Sequence, residues 1–69
     1  MNTADSLRYI RYELRLNQAQ LASVLNVTRS SISCYENGRR HPSYATVLKI
    51  LKLAKQHNLN VSLDDIKPE

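Results

Sequence analysis

Residues 28–40, TRSSISCYENGRR, gather hydroxyls, an amide and three guanidinium groups into one short stretch. All of these are directional hydrogen-bonding groups. On a helical wheel of about 100° per residue, Ser31, Ile32, Tyr35 and Glu36 fall on one side. Arg29, Ser30, Ser33, Cys34 and Asn37 fall within an arc of about 140° on the other. The first side can pack, with Ile32 as its anchor. The second is too polar to bury without partners, yet it lacks the lysines and glutamates that coat a merely solvated helix. Short donors and acceptors behind one arginine suit a surface that must come close to its target. Nothing in the chain converges as a nucleophile, base or metal set. Cys34 is the sole cysteine, which rules out an internal disulfide or a multi-cysteine zinc site. His41 and His57 are far apart and lack ligand spacing. An enzyme is not expected, nor is a cofactor or metal.

The elements that would carry this stretch read as all-α. Leu7, Ile10 and Leu14 mark one face of a helix over about Asp5–Leu14, with Thr3 or Asp5 as its N-cap. A second helix runs from Gln18 to Leu25 behind Asn17. The third follows Thr28, a good N-cap, and ends at Gly38, the chain's single glycine. Pro42-Ser43 opens a fourth helix that reaches about His57. Ser62-Leu63-Asp64-Asp65 has capping-box spacing and predicts a fifth short helix. Between the second and third helices, Ala22 would let the two axes approach. Val27 would plug the corner, and Asn26 tolerates positive φ. A short helix, a tight turn and a second short helix form a helix-turn-helix, whose second helix enters the DNA major groove.

The chain's 69 residues suffice for one small domain, residues 1–69, and its net charge is +4. Arg15, Arg29, Arg39, Arg40, Lys49, Lys52 and Lys55 lie along the middle, where Glu36 is the only acid. A basic middle points to a polyanionic partner. No apolar run is long enough to span a bilayer, and no targeting segment is visible. A cytoplasmic location, associated with the nucleoid through DNA, is expected.

Residues 7–54 resemble the phage-repressor and Cro type of helix-turn-helix domain, the XRE family. The pieces that carry the resemblance are LNQAQLA, VTRSSIS, YENGRRHPS and VLKILKLA, in that order and at the right spacing. The resemblance implies a compact five-helix lambda-repressor-like domain. It also implies a sequence-specific regulator of transcription that binds double-stranded DNA at a palindromic operator. Thr28, Arg29, Ser30, Ser33 and Cys34 would contact bases. Asn17, Gln18, Asn37, Arg39 and Arg40 would contact phosphates. Arg11 and Glu36 would form a structural ion pair between the first and third helices. Arg15 and Asn26 stand where the family often has glycine, and the Arg15 side chain is expected to face phosphate.

The fourth helix carries an apolar arc of about 220° through Val47, Leu48, Ile50, Leu51, Leu53 and Ala54. Leu59, Val61, Leu63 and Ile66 add to it in the tail, residues 55–69. The surplus predicts a homodimer contact. The competing expectation is that the tail folds back and hides the surplus within one chain. A dimeric repressor acting by operator occlusion is the leading functional expectation. The alternative is an antitoxin-type module that binds a toxin partner and regulates its own expression through the same helix-turn-helix.

Overall fold

Short polar side chains set where each helix begins. In the computed structural model, which describes residues 1–68, the helices are α1 (Thr3–Glu13), α2 (Gln18–Leu25), α3 (Arg29–Glu36) and α4 (Tyr44–Gln56). The cap oxygens of Asn2, Asn17, Thr28 and Ser43 accept from the backbone N–H groups of Asp5, Gln20, Ser31 and Thr46 at 2.7–3.2 Å. At α2 the bond is reciprocal, because the Gln20 side chain accepts from the Asn17 N–H at 2.9 Å. Asn2, rather than Thr3 or Asp5, caps α1. Thr3 is already helical, and its hydroxyl serves the tail instead, accepting from the Lys67 N–H at 2.9 Å.

Helix ends are set by left-handed residues. Gly38 (φ 74°) closes α3, with the Arg39 N–H bonded back to the Cys34 carbonyl at 3.0 Å. Asn26 (φ 56°) makes the turn between α2 and α3. Arg15 (φ 57°) takes the same conformation after α1, where the Leu16 N–H reaches the Arg11 carbonyl at 2.9 Å. The first helix therefore stops cleanly without a glycine.

Each helix contributes its apolar stripe to one core. Leu7 and Ile10 come from α1, Leu21, Ala22 and Leu25 from α2, Ile32 and Tyr35 from α3, and Val47, Ile50, Leu53 and Ala54 from α4. Ala22 is buried where α2 and α3 pack together, and Val27 packs against the core from the turn. Tyr35 is buried almost completely.

The tail corrects one expectation. Four helices form among the described residues, not five: residues 63–65 make a turn. Asp65 accepts from the Ser62 N–H at 3.0 Å, so the capping contact forms. A helix does not follow, because Pro68 biases Lys67 toward extended backbone and so few residues cannot offset nucleation. The Asp65 carboxyl is held below its ordinary pKa, first by that Ser62 N–H and then by the Met1 ammonium. Ile66 is wholly buried in the chain's own core, and the Ser6 hydroxyl donates to the Asp65 carbonyl at 3.4 Å. Ile66 is thus withdrawn from any dimer surface, while Leu48 and Leu63 stay about half exposed.

A left-handed conformation costs an L-residue with a Cβ about 1–2 kcal/mol, partly offset by glycine's larger unfolded-state entropy. Arg15→Gly is therefore expected to raise stability by about 0.5–1 kcal/mol, read as a higher midpoint in urea unfolding.

Candidate nucleic-acid interface

Two faces of α3 have separate environments. Ile32, Tyr35 and Glu36 point inward and are buried. Arg29 and Ser30 are exposed, and Ser33 and Cys34 are half-buried one turn on. Arg29, Ser30, Ser33, Cys34 and Arg39 together line a shallow open concavity. Thr28 is exposed at the leading tip, but its hydroxyl is engaged. It donates to Ser31 Oγ at 2.9 Å while capping the helix, which leaves mainly its methyl for an outside contact. Asn37 does not line the concavity but adjoins it, donating to Ser33 Oγ at 3.4 Å. Arg39 and Arg40 follow in the exposed loop.

A second cleft lies beside the first. It is lined by Arg11, Asn17, Gln18, Ala19 and Arg29, so α1, the start of α2 and the start of α3 meet there. Its walls thus include the cap and first residues of α2 and two arginines. Unpaired N–H groups at a helix start and the positive end of its dipole favour an anion. Among the described residues, no carboxylate lies within ion-pair distance of Arg29, Arg39 or Arg40. Their charge is unspent within the chain. Arg15 is exposed too and belongs to neither depression.

The inward side of α3 is held by one acid. Arg11 meets Glu36 with two bonds, Nε to Oε2 at 2.8 Å and Nη2 to Oε1 at 2.9 Å. Gln18 Nε2 adds a third donor to Oε1 at 3.3 Å, so this side chain both lines the second cleft and braces α3. The guanidinium plane also lies 4.8 Å from the Tyr12 ring centroid. The bond to Glu36 raises the Arg11 pKa above its already high value, against the opposing effect of burial. Sequence reasoning did not single out Arg8, which also reaches Glu36, or Gln20. Gln20 was legible, since Asn17 and Gln20 have capping-box spacing. Arg8 carried no such signal, because a second basic residue one turn from Arg11 looks like solvated surface.

Glu36 is nearly inaccessible, and its removal leaves Arg11 partly buried with its charge unpaired and only the Leu16 carbonyl, at 3.4 Å, as acceptor. Glu36→Ala is expected to cost about 3–5 kcal/mol of stability in chemical denaturation.

Sequence comparisons point to the same helix-turn-helix. The helix-turn-helix family profile matches residues 7–66. A Bacillus subtilis (strain 168) protein described as "Uncharacterized HTH-type transcriptional regulator YqaE" is 34% identical over 61 residues, covering 88% of this chain. The chain spans about half, 48%, of that relative's length. No solved structure matches the chain. With an exposed polar face on the second helix of a helix-turn-helix and a profile match across nearly all of its length, the chain belongs to the Cro/C1-type helix-turn-helix family of DNA-binding transcription regulators.

Proposed function

We propose that this domain reads a specific duplex sequence with α3 in the major groove and represses transcription by occupying an operator. The supporting observation is the concavity of Arg29, Ser30, Ser33, Cys34 and Arg39, built from short side chains and flanked by unpaired guanidinium groups. Arg29 is the reading residue: its fork matches O6 and N7 of guanine, worth about 1–3 kcal/mol of discrimination. The Ser30 and Ser33 hydroxyls donate or accept, and Cys34 offers a small contact for a thymine methyl. Gln18 reaches one phosphate at the start of α2, and Asn17 with the backbone N–H groups it caps offers a site for a second. Asn37, Arg39 and Arg40 hold the backbone beyond α3. The relative's description as a transcriptional regulator supports the regulatory half of this reading.

The working unit is a two-fold dimer. After Ile66 has docked, α4 still presents Tyr44, Leu48 and half-buried Leu51 at helical spacing, with Leu63 exposed in the tail. A second copy on that stripe would set two recognition helices about 34 Å apart, one DNA turn, on a palindrome. The antitoxin reading assigns the same stripe to a different protein.

Selection of bound sites from random duplexes tests base reading. Arg29→Ala should lose preference at one guanine per half-site. Arg40→Ala should weaken all sites alike and flatten the salt dependence by about one unit. An unchanged motif for Arg29→Ala would remove Arg29 from the reading role. Sedimentation tests the dimer: wild type should associate at tens of micromolar, and Leu48→Asp should be monomeric. A monomeric wild type that co-purifies in equal amount with a second small protein would favour the antitoxin reading.

A further inference from the structure

The last turn of α3 leaves one carbonyl that the backbone does not serve. The Asn37, Gly38 and Arg39 N–H groups turn back to the carbonyls of Ser33, Tyr35 and Cys34, and the Arg40 N–H also goes to Cys34. In a continuing helix the Arg40 N–H would have bonded to the Glu36 carbonyl. That carbonyl instead accepts from Arg8 Nη2, a side chain of α1. Arg8 is held for this contact from both sides. Its Nη1 donates to Asp5 Oδ1 at 3.2 Å on its own helix, and its Nε lies 4.0 Å from Glu36 Oε1. A cation at the C-terminus of α3 also complements the helix dipole. Arg8 lines neither the concavity of α3 nor the cleft at the start of α2.

From this geometry we infer that Arg8 is a positioning residue for DNA recognition: a cap supplied by α1 that sets the depth of α3 and the path of the loop bearing Asn37, Arg39 and Arg40. The inference rests on the groove-reading role proposed above. Arg11 and Gln18 grip the Glu36 carboxylate, and therefore a side chain with rotatable bonds. Arg8 grips the main chain at the residue where α3 becomes the loop, so its bond constrains the backbone directly. Loss of that bond frees the Glu36 carbonyl to seek water or the Arg40 N–H, and either choice redirects the loop that must meet the phosphates.

The test compares wild type with Arg8→Met, which keeps the stem and removes the donors, and Arg8→Lys, which keeps one donor. Affinity for a selected duplex is measured across a salt series, well below each variant's unfolding temperature. Arg8→Met should bind about tenfold more weakly, the scale of one lost hydrogen bond to a charged group. Its salt slope should match wild type, because no phosphate contact is removed. Arg8→Lys should recover most of the loss. Amide hydrogen exchange at Arg39 and Arg40 should quicken in Arg8→Met and return toward wild type in Arg8→Lys. Should Arg8→Met fail to fold, Arg8→Lys alone decides: wild-type affinity and exchange support the cap, and a loss as large as that of Arg29→Ala refutes it. Wild-type affinity in a folded Arg8→Met would overturn the inference, as would a slope lower by about one, which would make Arg8 a phosphate contact. A wild type that gives no salt-sensitive complex with any duplex would instead sink the groove-reading role itself.

Discussion

A single buried carboxylate organises this domain. Glu36 sits on the inward side of α3, where an unpaired charge would be intolerable. Its two oxygens draw donors from two other helices, Arg11 of α1 and Gln18 of α2. Apolar contacts through Ile32 and Tyr35 bury surface but are tolerant of small rotations. The planar match between the Arg11 guanidinium and the Glu36 carboxylate is not, because both of its bonds depend on one alignment. That alignment, together with the Arg8 bond to the Glu36 carbonyl, limits the rotation of α3 about its axis, and with it the direction in which Arg29, Ser30, Ser33 and Cys34 point.

The same arrangement separates the arginines around α3 into two classes. The arginines of α1 are bound to acids: Arg8 to Asp5 and Glu36, Arg11 to Glu36. The arginines at the start of α3 and in the loop after it have no such partner among the described residues. The first class sets structure and the second is available to a polyanion. Net charge alone cannot make that distinction, since both classes count equally toward +4.

Packing at the far side of the domain reflects its small size. A chain this short has little interior to bury, so side chains from the tail are recruited into the core. Ile66 fills that role, and its flanking backbone is tied to Thr3 and Ser6 of α1. The apolar surplus on α4 is therefore only partly absorbed within the chain, and Leu48 remains outside.

Much of this was legible in the residues alone. The extents of α2 and α3, the caps at Asn17 and Thr28, and the left-handed residue Asn26 all follow from interactions within a few positions of each other. Local interactions are written in local sequence, and helical spacing then separates the two faces of α3. Where residues distant in sequence compete for the same group, the outcome belonged to the tertiary structure. Thr3 serves the tail instead of capping α1, residues 63–65 turn instead of forming a helix, and Arg8 serves the Glu36 carbonyl instead of water. No periodicity records such choices, because each depends on which backbone group the completed packing leaves without a partner.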